Sequence, residues 1–466
     1  MQTGRGLDMK ISRELLQKYN VQGPRYTSYP PANFFSADFG APDFEKALQQ
    51  SNNEAPENIS LYIHIPFCTK RCLFCGCNTH TYPGKALVKE YIDAVIKEIV
   101  LFTRYINTGR KVTQIHFGGG TPNAVSNDYI LQIMEHIRNV FSVREDCEIA
   151  VEWNPAYIDF TDVDFYLRQG FNRFSLGVQD FNEEVLKAVN RDSSKIPVNE
   201  LVGHIKQHSG TGVNLDFIYG LPLQTAKSFL ETIRLAVEIS PDRLVTFSYA
   251  HLPALKKHQH ALEKYHLPDA AEKLQMLTES AEFLTGSGYV AIGMDHYAKP
   301  SDELAVAQEN KALHRNFQGY CPREKTGQVY AFGVTSISQM HNAYGQNTKD
   351  LEEYMQALNR GVFAVNRGYH LTFEDTVCRE VINTLMCNKY LDFRQTAGFF
   401  DISVDTLKQM VGFSPEKLSE FEANEFIAMN DNAISVTSLG SFFIRNIAMA
   451  FDPRLGEKGK TYSKTV

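Results

Sequence analysis

One stretch decides the fold: Tyr62-Ile-His-Ile-Pro-Phe-Cys68-Thr-Lys-Arg-Cys72-Leu-Phe-Cys75-Gly-Cys77. It starts inside a short apolar strand and continues directly into a loop, and four of the chain's eight cysteines lie within ten residues of each other there. Thiolates are preferred ligands of zinc and of iron–sulfur clusters. Short spacings between cysteines let one loop reach several corners of a cluster. The stretch therefore predicts a metal centre at the carboxyl end of a strand.

The cysteine spacing alone leaves three arrangements open. Four thiolates close around a zinc ion, four close around a cluster that only transfers electrons, or three hold a cluster and leave one iron free for chemistry. The aromatic neighbours Phe67 and Phe74 favour a cluster, because apolar side chains shield it from water. Only one residue separates Cys77 from Cys75, which makes binding of both to one cubane awkward.

Short apolar strands alternate with longer helical patterns on the carboxyl side of this loop. The predicted strands are Leu61–Ile65, Gln114–Phe117, Ile149–Trp153, Arg173–Val178, Val213–Ile218 and Leu244–Tyr249. The predicted helices between them include Leu87–Tyr105, Tyr129–Val140 and Ala226–Ile239. This alternation predicts an α/β fold with a parallel sheet and right-handed crossovers. Six such units predict an incomplete parallel (β/α)6-type barrel, whose active site lies at the carboxyl ends of the strands.

The segments outside the barrel have different patterns. Residues 1–60 are predicted to form an N-terminal arm, residues 61–370 the catalytic domain and residues 371–466 a mainly helical domain. The arm contains a predicted helix, Ser12–Tyr19, and the aromatic stretch Gly23–Pro31. A hairpin pattern, Phe426–Met429 followed by Ile434–Val436, makes the last domain winged-helix-like. That domain holds 10 Lys and Arg against 13 Asp and Glu, which opposes DNA binding and favours an interaction or lid role.

The composition limits the compartment and the partners. The 466 residues include 47 basic and 54 acidic side chains, a formal charge of −7, which is unfavourable for nucleic-acid binding. No apolar run approaches the ~18 residues that a membrane span needs. The first ten residues have no signal-peptide pattern, and Met9 is an alternative start after an extension, Met1–Asp8. We expect a cytoplasmic monomer that binds neither membrane nor nucleic acid, in a reducing compartment where clustered cysteines hold metal.

Several motifs together give the chain a family resemblance. Cys68-x₃-Cys72-x₂-Cys75 after one strand, with Gly118-Gly-Gly-Thr-Pro122 after the next, resembles the radical S-adenosylmethionine superfamily. More narrowly, residues from about 20 to 455 resemble the oxygen-independent coproporphyrinogen III oxidase family. The motifs that carry this narrower resemblance are Gly23-Pro-Arg-Tyr-Thr-Ser-Tyr-Pro30, the Cys-x-Cys ending at Cys77, Leu215-Asp-Phe-Ile-Tyr-Gly-Leu-Pro222, Tyr249-Ala-His-Leu-Pro253, Ile292-Gly-Met-Asp-His296 and Arg315-Asn-Phe-Gln-Gly-Tyr320.

The resemblance implies the cofactors and their contacts. Cys68, Cys72 and Cys75 would bind a 4Fe–4S cluster whose fourth iron is chelated by the amino and carboxylate groups of S-adenosylmethionine, and Cys77 would not be a ligand. A second adenosylmethionine is implied nearby. The residues that match contacts to the first molecule are Tyr62, Gly119 and Glu152. Those that match contacts to the second are Phe74, Gly120, Thr121, Gln179, Arg191, Asp216, Ala250 and Ile337.

The resemblance also implies the reaction. A 5′-deoxyadenosyl radical removes hydrogen from a propionate β-carbon of coproporphyrinogen III, and loss of CO₂ and one electron leaves a vinyl group. Two rounds give protoporphyrinogen IX in haem biosynthesis, and Tyr62 is placed among the catalytic residues. The reaction needs a reductant for the cluster and a final electron acceptor, and no motif identifies either.

The substrate carries four propionates, so an acidic chain must gather local positive charge to hold it. Arginine suits this task because its guanidinium binds carboxylates bidentately. The candidate groups are Arg25 with Tyr26 and Tyr29, and Arg315 with Gln318 and Tyr320, with the aromatic rings facing the pyrroles. The alternative for residues 23–30 is a structural clasp across the barrel mouth.

Two other functions stay open at this point. One is a haem-binding, chaperone-like relative in the same superfamily, which the Cys77, Gly23–Pro30 and Arg315–Tyr320 features oppose. The other is a non-catalytic zinc or electron-transfer protein, which iron and sulfide analysis and a spectral response to adenosylmethionine test. Among the remaining candidates, His64 is expected in the barrel core, and His258 and His260 are expected to be solvated.

Overall fold

The computed structural model describes residues 13–457 and 462–463, so the alternative start at Met9 lies outside the described residues. The strands, in chain order, are β1 Ile59–Ile65, β2 Phe67–Cys68, β3 His80–Thr81, β4 Lys111–Gly119, β5 Ser142–Trp153, β6 Arg173–Gln179, β7 Gly212–Tyr219, β8 Arg243–Ser248, β9 Val290–Gly293, β10 His296–Ala298, β11 Leu313–Asn316, β12 Gly319–Pro322, β13 Gln328–Phe332, β14 Ile337–Gln339, β15 Ala343–Asn347, β16 Val365–His370, β17 Tyr390–Asp392, β18 Ile427–Met429 and β19 Ala433–Val436.

Helices connect most of these strands. In chain order they are α1 Arg13–Tyr19, α2 Ala41–Ser51, α3 Lys85–Phe102, α4 Asn127–Val140, α5 Phe160–Arg168, α6 Glu183–Ala188, α7 Val198–Lys206, α8 Ala226–Ile239, α9 Ala270–Gly286, α10 Glu303–Glu309, α11 Leu351–Asn359, α12 Phe373–Asn388, α13 Phe393–Phe399, α14 Val404–Met410, α15 Pro415–Ala423 and α16 Ile444–Met449. Side-chain caps fix several starts: Ser126 accepts from an N–H of the first turn of α4, and Thr225 forms a capping box on α8.

A twelve-stranded sheet organises the molecule, in the order β16-β15-β14-β13-β1-β4-β5-β6-β7-β8-β10-β9. All six predicted strands are present and lie side by side in chain order, and their pairing is parallel. The prediction of an α/β fold with an open, incomplete barrel is confirmed. The structure adds a seventh parallel strand, β13, on the other side of β1, and antiparallel strands extend both ends of the sheet.

The strands present two different faces. In β6 and β7, fully buried residues alternate with half-buried residues, because successive side chains point to opposite faces of a strand. One set packs under the helices, as Leu176 and Phe217 do, and both are fully buried. The other set, which includes Ser175 and Asp216, faces the inside of the open barrel, which we call the lumen. The lumen face is therefore polar, and a ligand can reach it.

Charged side chains close the end of the lumen where the strands begin. Six residues form this network: Arg173, Arg243 and Lys325 with Glu148, Asp302 and Glu303. The N···O distances include 2.9 Å between Arg243 and Asp302 and 2.6 Å between Lys325 and Glu303. Three positive and three negative groups balance each other, as buried charges must.

The N-terminal arm packs against the C-terminal residues. The hydroxyls of Tyr26 and Tyr29 donate to the buried carboxylate of Asp452, at 2.9 and 3.0 Å. Arg445 donates to the carbonyls of Gly23 and Pro24. The C-terminal helices surround a small antiparallel sheet, β17-β19-β18, so the predicted mainly helical region with a hairpin is confirmed. The proposed domain limits at 60/61 and 370/371 stay a prediction.

None of the helices within residues 13–457 combines the length and the apolar character needed to cross a bilayer.

Candidate functional site

The cysteine loop is fixed at both ends by the backbone. Directly after β1, strand β2 pairs in parallel with β3, which closes the loop between residues 68 and 80. The N–H of Gly120 donates to the carbonyl of Ile65, at 2.8 Å, and the N–H of Thr121 donates to that of Phe67, at 2.9 Å. These bonds hold the loop against the end of β4, at the carboxyl edge of the sheet. The structure therefore places the cysteines where the sequence predicts the active site.

Three cysteines of this loop are half-buried, and Cys77 is exposed. Burial raises the pKa of the Cys68 and Cys72 thiols, while the guanidinium of Arg191, 3.4 Å from the Cys72 sulfur, opposes that change. The Cys77 thiol donates to Cys75, which lowers the pKa of Cys75 and raises that of Cys77. Three soft sulfur donors in a shielded loop are the donor set of an iron–sulfur cluster.

The zinc alternative makes a different geometric demand. A structural zinc ion needs four side chains that converge on one point. Within the described part of the chain, no three His, Cys, Asp or Glu side chains are placed to hold a single metal ion.

The glycines after β4 are required by close packing. Gly119 has a φ of +113°, a conformation that favours glycine. A Cβ at Gly119 would lie 2.6 Å from the His64 ring, and one at Gly118 would lie 2.9 Å from the Glu152 carboxylate. A Cβ at Gly120 would lie 2.8 Å from the Pro66 carbonyl. The triplet thus lets the strand end, the cysteine loop and two lumen side chains meet.

The residues matched to the first adenosylmethionine lie on three adjacent strands. The hydroxyl of Tyr62 lies 3.1 Å from Nδ1 of His64, and the Tyr62 ring stacks on His116 at 5.8 Å. His116 Nε2 lies 2.9 Å from the Glu152 carboxylate, which also accepts the N–H of Gly119 at 3.4 Å. Burial opposes ionisation of Glu152, but the bonds from His116 and Gly119 outweigh it, so the pKa of Glu152 falls below its ordinary value. The structure thus brings Tyr62 and Gly119 close to the ionised carboxylate of Glu152.

The residues matched to the second molecule are centred on β6 and β7. Asp216 accepts from Ser175 at 2.7 Å and from Asn214 at 2.8 Å. Burial, with the nearby charge of Glu152, raises the pKa of Asp216 to about 6. The side-chain oxygens of Gln179 and Asn214 are buried and lack a hydrogen-bond partner among the described residues. Buried polar atoms without partners are costly, so this part of the lumen is suited to a polar ligand.

Other members of this second set border the cysteine loop. Thr121 lies 3.5 Å from the Cys68 sulfur, and Arg191 bonds both the Cys72 sulfur and the carbonyl of Gly177. Ile337 is the first residue of β14, which neighbours β13 in the sheet.

A short segment, residues 256–259, holds the backbone of the cysteine loop in place. The sequence did not indicate this role. Gln259 donates to the carbonyls of Phe74 and Ala250, at 3.0 and 3.2 Å. His258 Nε2 lies 2.9 Å from the carbonyl of Cys75, and Lys256 donates to that of Cys77 at 3.2 Å. The prediction that His258 is solvated is wrong, because its ring is half-buried on the loop. Only a tertiary contact across about 180 residues reveals this role.

The two candidate arginines contact neighbouring residues, Met294 and Asp295, in the turn between β9 and β10. Arg25 pairs with Asp295 at 2.5 Å, and the backbone N–H of Thr246 in β8 donates to the Asp295 carbonyl. The guanidinium of Arg315 lies over the Tyr320 ring at 5.1 Å and contacts the Met294 sulfur. These contacts place the group beside the carboxyl half of β8.

The tyrosines of the arm do not belong to this group. Tyr26 and Tyr29 are only 7% and 2% exposed, and both hydroxyls are bound to Asp452. Their rings are part of the core between the arm and the C-terminal helices. The expectation that they face the substrate is wrong in this structure, and the clasp alternative describes them.

Three polar atoms near these arginines are buried without a partner among the described residues. They are the side-chain nitrogen of Gln318, the hydroxyl of Tyr320 and Nδ1 of His296. The rings of His296 and Tyr320 meet edge to face at 5.1 Å. Burial, followed by the charges of Arg315 and Arg25, lowers the pKa of His296 to about 3, so the ring is neutral at physiological pH. This group offers donors and positive charge to an anion.

The fold and the three-cysteine loop together define a radical S-adenosylmethionine protein, and the sequence profile of the Radical SAM superfamily matches residues 62–236. Oxygen-independent coproporphyrinogen III oxidase of Escherichia coli K12 is 41% identical over 452 residues, 96% of each chain, and that of Synechocystis is 40% identical over 97% of each. The solved structure of the Escherichia coli coproporphyrinogen III oxidase, described as a radical SAM enzyme, superposes with a TM-score of 0.86 at 40% identity, covering 92% of this chain and 98% of the other. The chain belongs to the oxygen-independent coproporphyrinogen III oxidase family. This membership implies a 4Fe–4S cluster and S-adenosylmethionine.

Proposed function

We propose that the chain catalyses the oxygen-independent oxidative decarboxylation of coproporphyrinogen III in haem biosynthesis. Each of two propionates loses one hydrogen atom, one electron and CO₂ to become a vinyl group, and the product is protoporphyrinogen IX. Family membership along nearly the whole chain supports the activity. The observation that carries the substrate assignment is the surplus of positive charge beside β8.

That surplus comes from two guanidinium groups, those of Arg25 and Arg315, beside one carboxylate, that of Asp295. Arg25 is paired with Asp295. Burial, followed by the charge of Arg25, lowers the pKa of Arg445 to about 10, and Arg315 acts in the same direction. Within the described residues Arg315 has no carboxylate partner. A chain with a net charge of −7 gathers such positive charge where an anion binds, and the propionates of the substrate are suitable anions.

The cofactor assignment rests on the three cysteine sulfurs of the loop. Cys68, Cys72 and Cys75 would hold the cluster. When bound, the cluster and adenosylmethionine supply a 5′-deoxyadenosyl radical that removes a hydrogen atom from a propionate β-carbon. The carboxylate of Glu152, kept ionised by His116, offers a counter-charge to a cationic ligand group in the lumen.

We also propose two adenosylmethionine sites in the lumen. Tyr62, Gly119 and Glu152 contribute to the first. The second is formed by Phe74, Gly120, Thr121, Gln179, Arg191, Asp216, Ala250 and Ile337. The unpartnered oxygens of Gln179 and Asn214 support a further polar ligand beside β6 and β7. Equilibrium binding to the anaerobic protein should give two molecules per chain, falling to one in Asp216→Ala. A stoichiometry of one in the unaltered protein contradicts the second site.

On the substrate side we assign roles to four residues. Arg25 and Arg315 bind propionates, and Gln318 donates its unpartnered amide to the same anion. Tyr62, whose ring stacks on His116, is assigned to the catalytic group, and burial together with the Glu152 charge keeps its pKa far above the ordinary value, so its hydroxyl stays protonated. We propose that the chain acts as a monomer. A reductant and a final electron acceptor complete the reaction.

Anaerobic turnover tests the function directly. Reconstituted protein is incubated with coproporphyrinogen III, adenosylmethionine and dithionite, and the porphyrins and 5′-deoxyadenosine are identified by chromatography and mass spectrometry. We expect the divinyl product. Formation of deoxyadenosine without a vinyl product contradicts the substrate assignment, and tight haem binding without decarboxylation favours the chaperone-like alternative. Arg315→Gln should raise KM about tenfold or more, while the exposed control Arg394→Gln should not change it.

A further inference from the structure

The cysteine loop and the segment that binds its backbone carry basic and apolar side chains to which the proposed reaction assigns no role. Residues 68–82 and 251–266 form a surface, which we call the basic face. Its basic side chains are Lys70, Arg71, Lys256, Lys257 and Lys264, and its exposed apolar side chains are Leu252 and Leu255.

The basic face is joined directly to the loop that would hold the cluster. Lys256, His258 and Gln259 bind three backbone carbonyls of the loop, those of Cys77, Cys75 and Phe74. A single hydrogen bond of 2.9 Å thus separates His258 on this surface from a cluster-ligating residue. An electron that reaches this face has a short path to the cluster.

The charge of the basic face is opposite to that of the whole chain. Its two segments contain five Lys and Arg and one acidic residue, Glu263, whereas the chain has 47 basic and 54 acidic residues. Glu263 contacts His251 and His260, and Asp192 from outside the segments pairs with Lys70 at 2.8 Å. Counting Asp192 and also Glu272, which lies 3.2 Å from His266, five positive and three negative groups leave a surplus of two. Such a local field attracts an acidic partner in a chain that otherwise repels it.

Exposed leucines lie within this positive field. Leu255 is 78% exposed, the largest value among the large apolar side chains of the described residues, and Leu252 is 49% exposed. An apolar centre with a charged rim is the usual arrangement of a transient protein interface.

We propose that the basic face docks the reduced form of an acidic one-electron carrier protein. On this proposal, which rests on the proposed function for the presence of a cluster, the carrier loses one electron and the cluster gains it, and no bond or proton is exchanged. The carrier's acidic rim faces Lys256, Lys257 and Arg71, and its apolar surface covers Leu255. The docked carrier would thereby lie against the segment whose Lys256, His258 and Gln259 bind the loop that would hold the cluster.

The test compares the docking of a protein carrier with reduction by a small molecule. Reduced flavodoxin serves as the acidic carrier, and dithionite serves as the reductant that needs no docking. Lys257→Glu, at an exposed position without an ion pair among the described residues, should weaken flavodoxin binding about tenfold at low ionic strength, measured by titration, and slow cluster reduction by flavodoxin to the same extent. Reduction by dithionite should change less than twofold. Leu255→Ser should weaken binding without changing its salt dependence.

Matched controls carry the same substitutions elsewhere. Lys46→Glu on α2 and Val362→Ser after α11 are both at exposed positions and should behave as the unaltered protein does. Equal flavodoxin binding by Lys257→Glu and the unaltered protein overturns the proposal, as does an equal loss in Lys46→Glu. Slower reduction by dithionite in Lys257→Glu overturns it too, because the residue then acts on the cluster itself. Salt-dependent self-association that Lys257→Glu abolishes would make the face a contact between copies instead.

The outcomes for docking and for the proposed function are distinct. Flavodoxin binding and cluster reduction are measured without substrate. A protein that binds and accepts electrons from flavodoxin yet forms no vinyl product loses the proposed substrate but keeps the docking site.

Discussion

Cys77 differs from the other cysteines of its loop in exposure and in its bonding. It is exposed, whereas Cys68, Cys72 and Cys75 are half-buried, and its thiol donates to Cys75. We predict that Cys75→Ser loses the cluster, because a ligand is removed, whereas Cys77→Ser retains iron and sulfide close to the unaltered content. Iron and sulfide analysis after anaerobic purification measures both. If the two variants are equally free of cluster, the three-ligand assignment is wrong.

Glu98 on α3 is a fully buried carboxyl outside the lumen. Burial raises its pKa to about 7, although the N–H of Gly333, the Asn347 amide and the Tyr354 hydroxyl all donate to it. A carboxyl whose pKa is higher in the folded than in the unfolded state lowers the free energy of unfolding as pH rises through the interval between the two values.

We therefore predict a pH dependence of stability from this one side chain. Between the ordinary value of 4.5 and about 7, the free energy of unfolding should fall by up to about 3 kcal/mol from Glu98 alone. Glu98→Gln should flatten the dependence in that interval, measured by urea unfolding at several pH values. Glu90→Gln, exposed on the same helix, is the control. An unchanged slope in Glu98→Gln contradicts the assignment.

At the scale of elements, the arm is held to the C-terminal helices by one carboxylate. Asp452→Ala leaves the hydroxyls of Tyr26 and Tyr29 buried without their acceptor. We predict a loss of about 2 to 4 kcal/mol in the free energy of unfolding, because each buried, unsatisfied hydroxyl is costly. Limited proteolysis should cut the arm near Gly23 sooner. The exposed Asp431→Asn is the control, and equal stability of the two variants would show that the arm does not depend on Asp452.

The sequence predicted those elements whose pattern is local. Apolar runs separated by amphipathic helices identify six parallel strands, and capping residues such as Ser126 and Thr225 mark helix starts. Strand β13 escaped prediction because its partner is β1, about 270 residues earlier, and no crossover helix of the regular pattern precedes it. In β4, the alternate residues Gln114, His116 and Gly118 are polar or small. This alternation indicates which side of the strand faces the lumen, although it was not used in the prediction.

Site contacts that join distant segments could not be predicted. Nothing local in the sequence shows that His258 binds the Cys75 carbonyl, or that Asp295 pairs with Arg25. The cysteine spacing predicted a metal centre, but the assignment of three ligands came from the family resemblance and stays a prediction. Tyr26 and Tyr29 look like ligand-facing aromatics in sequence, and only their burial identifies them as a clasp.

At the scale of the whole molecule, the charged network at the strand starts holds β5, β6 and β8 to the helix α10. Arg243 bonds both Asp302 and Glu303, at 2.9 and 3.0 Å, and is largely buried. We predict that Arg243→Gln lowers the free energy of unfolding by about 3 to 5 kcal/mol, because it leaves buried carboxylates uncompensated. Chemical denaturation measures the change.

Arg144→Gln provides the control for that prediction. Arg144 pairs with Asp146 at the surface, where solvent screens the charges, so we expect no measurable change. A small effect of Arg243→Gln, similar to that of the control, would show that the network is not needed to close the lumen.

The balance of charge in this network also sets the electric potential inside the lumen. Three positive and three negative side chains cancel, so their potential decays quickly with distance. The arginine group beside β8, Arg25 and Arg315 against Asp295, keeps a net positive charge, and its potential reaches further. The electric potential inside the lumen therefore becomes more positive toward the arginine group beside β8. A tetra-anionic macrocycle that enters this gradient experiences a torque before any contact forms, so the electric field orients the ring first and hydrogen bonds hold it afterwards.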